Sequence, residues 1–481
     1  MGGSISVAKS GKIVGVLALA GIIASVMQTL VVPLIGELPR ILNTSASNAS
    51  WVITSTLLAA AIATPVTGRL GDLYGKKRMM LILLVPLIVG SVVCALAGSL
   101  LPMIIGRALQ GIGAGIVPLA ISALRDLLPP ERLGSAIALI SASMGIGGAL
   151  GLPISAAVTE QASWRVLFWA VAVLCLLVAV ATWLVVPATP AGAQGRFDPL
   201  GALGLGVGLL CLLLGISKGA DWGWASGAVL GLFAASLVIL LVWGWWELRT
   251  SDPLVDLRVT ARPQVLLTNA ASIVVGFAMY AQALIVPQLL QLPKATGYGL
   301  GTSMLTAGLV MAPGGLMMML LAPVGGKLTA ARGPKATLLI GTLVIALGYA
   351  SSLALMGSVW GLMIVGCICS IGVGLAYGAM PALIMGAVPV SETASANSFN
   401  TLMRSIGTAV SAAVVGLVLA QMTIQMGGYA LPSENGFRTG LLLGGGAALL
   451  AAAIILTIPV RRAGRPAERS VTTEVPVKAV V

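Results

Sequence analysis

Apolar residues run along this chain in repeated blocks of about 20, parted by short stretches rich in Gly, Pro and charge. Fourteen such blocks fall at 13–35, 50–70, 79–99, 102–124, 134–158, 166–187, 199–217, 226–247, 264–290, 300–324, 336–356, 359–384, 397–420 and 437–459. Each is long enough to cross a hydrocarbon layer of about 30 Å as a helix. In lipid every main-chain amide must find its partner within the protein. The ~10-residue alternation of a membrane β-barrel is absent, so the pattern predicts spanning helices.

Composition agrees. The 481 residues are 58% hydrophobic and 9% charged, with a mean hydropathy of +1.05, whereas a soluble domain carries about a quarter of its residues charged. The expected class is an all-α, polytopic membrane protein. The first 12 residues are too short and polar for a signal peptide, so the first block reads as a retained helix. The stretch after Pro459, charged and Pro-containing, reads as a disordered tail. Five cysteines, Cys94, Cys175, Cys211, Cys367 and Cys369, lie inside apolar blocks and read as small packing residues. With no histidine and no close carboxylate cluster within a block, no metal site, cofactor site or activated nucleophile is predicted. No G-x-x-x-x-G-K-[ST] loop is present to hold a nucleotide phosphate. The chain therefore does not read as an enzyme or an ATP-driven pump.

Charge supplies the orientation. With the N-terminus in the cytoplasm, 21 of the 27 Lys and Arg fall in cytoplasmic loops, tails and helix ends. Five (Arg40, Arg165, Lys218, Lys294, Arg438) fall outside, and Arg107 lies within a block. This bias is the positive-inside pattern, with both ends cytoplasmic. The net charge of +13 then records topology and contact with anionic lipid. A nucleic-acid surface would gather the charges on one soluble face.

Shifted by 258 residues, "TPVTGRLGDLYGKKRMML" from Thr64 lies over "APVGGKLTAARGPKATLL" from Ala322. Each copy joins one apolar block to the next through a basic turn. Two six-helix halves related as parallel repeats, with a site between them, are the layout of the major facilitator fold. The expected division is a six-helix bundle over 1–190, two inserted helices over 191–262, a second bundle over 263–460 and a cytoplasmic tail over 461–481.

The motifs carry a resemblance. "GRLGDLYGKKR" resembles the signature loop of the major facilitator superfamily, and "IIGRALQGIGAGIVP" its fourth-span motif. "SMGIGGALGLP", "QASWRVLFW" and "SETASANSFNTLMRSIGTAVSAA", with the fourteen-block count, resemble its fourteen-spanner drug/proton antiporter branch. Two departures stand out. Gly148 occupies the first Pro slot of the fifth-span motif, and Met27 stands where many relatives carry a span-1 aspartate.

The resemblance implies a conformational latch at Gly68, Arg69, Asp72, Gly75, Lys76 and Arg125, closing the two halves on the cytoplasmic side. Asp72, at the membrane edge, needs a partner: a nearby cation, or the N-terminus of a helix in the second half. The second copy has Ala330 in place of Asp72, so the latch is one-sided. Arg107 must face protein or a wet cavity, because a cation in mid-bilayer costs at least ~2.5–3.5 kcal/mol. The resemblance assigns it to proton coupling; a hydrogen-bonded structural role is the alternative. Glu37, in "PLIGELPR", is the carboxylate nearest the apolar zone and the candidate proton carrier, or else a solvated partner of Arg40. Gln28, Gln110, Tyr280, Gln282, Tyr377 and Asn400 are the candidate lining of a substrate cavity. Methionines at 279, 304, 311 and 317–319 add adaptable apolar contact.

The expected function is proton-coupled efflux of lipophilic or amphiphilic small molecules across the cytoplasmic membrane by a monomer. The alternatives are a dedicated exporter of one endogenous metabolite (an antibiotic, a lipid or a siderophore), with or without proton coupling, and a non-transporting membrane sensor or structural partner.

Overall fold

The computed structural model describes residues 7–31, 34, 38–188, 195–426 and 429–459. Glu37 and the expected tail over 461–481 lie outside them. Fourteen long helices run through the described residues. In the first part of the chain they are α1 (Val7–Thr29), α2 (Trp51–Tyr74), α3 (Lys76–Leu96), α4 (Leu100–Leu127, with a 3-10 turn at Gly113–Gly115), α5 (Pro130–Gln161) and α6 (Arg165–Val185). Next come α7 (Pro199–Trp222) and α8 (Gly227–Arg249). The rest are α9 (Pro263–Gln291), α10 (Met304–Arg332), α11 (Pro334–Leu355), α12 (Val359–Met385), α13 (Thr393–Gln421) and α14 (Glu434–Thr457). Thirteen of them are long and apolar enough to cross a membrane. The other, α5, has 32 residues and packs between α1 and α10.

Local chemistry sets the helix ends. Asp198 Oδ1 accepts from the Gly201 amide at 2.9 Å to cap α7, and the Ser358 hydroxyl accepts from the Gly361 amide at 2.9 Å to cap α12. Gly75 and Gly333, 258 residues apart, both adopt left-handed φ, +93° and +84°. A side chain there would clash with its own backbone, so glycine makes the sharp turn in each copy of the repeat.

Two apolar cores follow from this order. One gathers α1 to α6; the other gathers α9 to α14 together with Ala138 and Ala142 of α5. The inserted pair builds a third, smaller core: Leu205, Leu209 and Leu213 of α7 meet Leu58 and Ala61 of α2 and Leu402 of α13. The pair therefore packs against both halves.

Several boundaries differ from the expected blocks, α1 (Val7–Thr29 against 13–35), α5 (Pro130–Gln161 against 134–158) and α7 (Pro199–Trp222 against 199–217) among them. Helix α2 continues to Tyr74, so Asp72 sits in its last turn and the loop shrinks to Gly75. Helix α10 continues to Arg332 instead of ending at 324. Helix α13 starts at Thr393, not 397, so Arg404 belongs inside the span and not among the cytoplasmic charges. In α2 and α13 polar side chains face protein, in α10 Lys327 and Arg332 are exposed, and in each case a hydropathy window ends the helix too soon. A short antiparallel pair, β1 (Thr423–Met426) with β2 (Tyr429–Pro432), was not anticipated; it sits between α13 and α14, with Thr423 opposite Pro432.

Close helix approach sets a clear test. A Cβ on Gly407 of α13 would collide with the Ile273 carbonyl of α9, whereas one on Gly416 of the same helix meets nothing. Gly407→Ala is expected to destabilise the fold by roughly 1–3 kcal/mol and Gly416→Ala to leave it unchanged. The midpoint of thermal unfolding of the purified protein reads both.

Candidate functional site

Asp72 is 1% exposed, and its carboxylate spans the seam between the halves. The Ala394 amide donates to Oδ1 at 3.0 Å and the Ser395 amide to Oδ2 at 2.8 Å. Both are first-turn amides of α13, which point outward without partners in their own helix. A carboxylate there satisfies two donors and meets the positive end of the helix dipole. Gly68 allows the approach, since a Cβ on it would lie 2.7 Å from the Ala394 carbonyl oxygen and 2.6 Å from the Ser398 Cβ.

The remaining latch candidates surround this contact. Lys76 donates to Asp126 Oδ2 at 2.7 Å and to the Thr393 hydroxyl at 3.1 Å, linking α3, α4 and α13. Arg125 donates to the Val388 carbonyl at 3.3 Å, just ahead of α13. Arg69 is buried and within electrostatic reach of Glu392. Ser122 of α4 donates to the Thr393 carbonyl at 3.0 Å and accepts from Asn397 at 3.1 Å. The expected cluster is therefore assembled, with Asp126, Ser122, Glu392 and Asn397 as members that the sequence reading did not name. Their signal is weak: 50 residues separate Lys76 from Asp126, and only the fold brings them together.

Arg107, 1% exposed, is held entirely inside the first half. It donates to the Val52 carbonyl at 3.2 Å, the Met27 carbonyl at 3.0 Å and Gln110 Oε1 at 2.7 Å. Gln110 in turn donates to the Ser91 hydroxyl at 2.9 Å. Among the described residues no carboxylate joins this set. The backbone position where relatives carry an aspartate, at Met27, supplies its carbonyl instead.

The cavity candidates fall into two groups. Gln28 and Gln110 line a narrow pocket of the first half with Met27, Thr56 and Ala60. Tyr377 and Asn400 sit in the second half. Asn400 donates to Asn269 Oδ1 at 2.9 Å and to the Ser272 hydroxyl at 2.7 Å. The Tyr377 hydroxyl donates to the Met279 sulfur at 2.7 Å, and its carbonyl accepts from Ser141 of α5 at 3.0 Å. Tyr280 and Gln282, both partly buried, follow Met279 on α9. The Arg404 guanidinium lies 4.2 Å from the Tyr377 ring centroid. Its signal was present in the sequence: Pro389 followed by "VSETAS" marks a helix start early enough to place Arg404 deep in the span.

Comparison with known proteins gives one family. The model described as Major Facilitator Superfamily matches residues 17–412, with a second match over 268–479. The uncharacterised MFS-type transporter YhcA of Bacillus subtilis is 25% identical over 68% of this chain, and the chain spans 61% of that relative. Multidrug resistance protein 3 of the same organism is 26% identical over 85% of this chain and 80% of its own length. The solved proton:xylose symporter XylE superposes with a TM-score of 0.63 over 94% of this chain and 96% of that one, at 16% identity.

The carboxylate at the α13 N-terminus is expected to hold the seam closed by up to about 2 kcal/mol, roughly thirtyfold in the closed-to-open ratio. Spin labels at the exposed Tyr74 and Val390 would report it. Asp72→Asn should move the distance distribution toward the longer separation, and unchanged distributions would remove this role.

Proposed function

The chain belongs to the Major Facilitator Superfamily, and from that premise we propose that it exports lipophilic or amphiphilic small molecules across the cytoplasmic membrane by alternating access. The observation that carries this reading is the Asp72 carboxylate seated on the Ala394 and Ser395 amides. It ties the halves together at one end only, since Ala330 replaces it in the second copy. Gly68, Arg69, Asp72, Gly75, Lys76 and Arg125 form a latch that is closed when the cavity faces outward and released when it faces the cytoplasm. The likeness to multidrug resistance proteins, at 26% identity for one of them, supports the efflux direction and the drug branch.

Helix α5 counts as the fourteenth span, both termini are cytoplasmic, and the protein works as a monomer among anionic lipids. Gln28, Gln110, Tyr280, Gln282, Tyr377 and Asn400 line the path, with methionines giving a surface that adapts to varied apolar cargo. Protons drive the cycle, with Glu37 as carrier and Arg107 as the residue that tunes it.

A second reading, a dedicated exporter without proton coupling, draws on two observations. Arg107 spends its hydrogen bonds on two carbonyls and Gln110, and Met27 replaces the span-1 carboxylate.

Dye accumulation in inverted vesicles carrying the purified protein, with an imposed pH gradient, separates the two. Under the first reading uptake follows the gradient, falls to the gradient-free level in Glu37→Gln and drops sharply in Arg107→Ala. Uptake that ignores both the gradient and Glu37 would remove proton coupling and favour the second.

A further inference from the structure

Arg404 is the one strongly buried cation in the second half among the described residues, and its charge is not answered there. It is 8% exposed and lies about 17 Å along α13 from Thr393, at 1.5 Å per residue. That is about half the thickness of a hydrocarbon core of roughly 30 Å. Most of the other buried basic side chains have acceptors: Arg107 has two carbonyls and Gln110, Lys76 has Asp126, and Lys218 has Asp221 and Ser50; Arg69, without a hydrogen bond at its Nε, has the Glu392 carboxylate within electrostatic reach. Arg404 has only the face of Tyr377, 4.2 Å away. Among the described residues its guanidinium meets no hydrogen-bond acceptor and no carboxylate. Its nitrogens are not among the fully sealed polar atoms, so they border open space.

The neighbours offer no counter-charge. Helices α9 and α12, whose Gly276 and Tyr377 lie against Arg404, and α13 itself contain no Asp or Glu. Gly276 of α9 lets the Arg404 stem lie close, since a Cβ there would stand 3.1 Å from Arg404 Cγ. Tyr377 fixes the guanidinium from the other side and is itself anchored at the seam by Ser141 of α5. A guanidinium stacked on a ring keeps its in-plane donors free. An unpaired cation at such depth is expensive, and sites of that kind mark substrate or ion pathways.

We propose that Arg404, positioned by Tyr377, binds the acidic head group of the transported molecule, so that the cargo is an organic anion with an apolar body and one carboxylate or similar group. This rests on the export reading above and narrows its substrate class. The planar donors match a carboxylate bidentately, while Met279 beside Tyr377 offers an adaptable apolar wall for the body. The absence of acid on these three helices disfavours cationic cargo, which would meet the Arg404 charge without compensation.

The test is equilibrium binding of 11-(dansylamino)undecanoic acid and its methyl ester to the full chain in zwitterionic nanodiscs at neutral pH. The wild type is expected to prefer the acid by about tenfold or more. The acid-to-ester ratio should fall toward one in Arg404→Gln and survive in Arg404→Lys, which keeps the charge. Equal binding of acid and ester by the wild type would overturn the proposal without touching efflux of neutral compounds, as would a ratio unchanged in Arg404→Gln. Binding of neither probe would remove the lipophilic cavity and this proposal together. Loss of the acid preference on adding phosphatidylglycerol, with ester binding retained, would assign the charge to a lipid head group and overturn it too.

Discussion

Hydrocarbon offers no water to a peptide group, and that constraint shapes every level of this protein. Helices satisfy the main chain, but lipid gives little apolar drive for helices to associate, so they must approach closely enough for dispersion and small polar contacts to hold them. The glycines provide that approach. Gly90 of α3 faces the Gly106 carbonyl of α4, and Cys94 fills the next gap. The same device recurs in the second half, where Gly341 faces the Gly372 carbonyl and Gly348 faces Cys369. Two of the five cysteines thus act as small packing partners at equivalent crossings. The free thiols, Cys94 and Cys369 among them, reflect this use.

The same constraint governs charge. A charge in the interior persists where the protein compensates it, and three buried ones show how. Asp72 uses helix-terminal amides, Lys76 uses Asp126, and Arg107 uses carbonyls of α1 and α2. The Asp72 contacts bridge the halves, so they hold only while the halves are together at this end, whereas the Lys76–Asp126 pair lies within the first half. Arg107 bonds only within its own half, so it travels with that half as a rigid unit. A motion between the halves would break the Asp72 set and spare the Arg107 set. Arg404 departs from the pattern, because its compensation is absent from the surrounding helices.

The inserted pair obeys the same rule from the outside. Asp198 caps α7 and accepts from the Trp246 indole at 2.9 Å, joining α7 to α8. Lys218 ties the opposite end of α7 to Ser50 at 2.6 Å, at the start of α2. With Leu402 of α13 in the same core, the pair touches one helix of each half, so any movement between the halves must slide or carry it.

Much of this was legible in the sequence. Hydropathy blocks gave the helices. The 258-residue repeat located two turns that share a left-handed glycine, Gly75 and Gly333. The glycines and Asp72 marked a helix crossing with a partner to be found. These features are local or periodic, because they follow from the length of a helix, the twist of one residue and the cost of one charge in lipid. What the sequence left open depends on which helices become neighbours. Asp72 could have met Arg69 or Arg125 as readily as the amides of α13. Arg107 could have faced a carboxylate, and although the helix start after Pro389 places Arg404 inside a span, nothing local says that it packs on the Tyr377 ring. Only packing chose among these. A buried charge is stabilised by atoms within a few ångströms, and in this chain those atoms lie up to 323 residues away, as Ser395 does from Asp72.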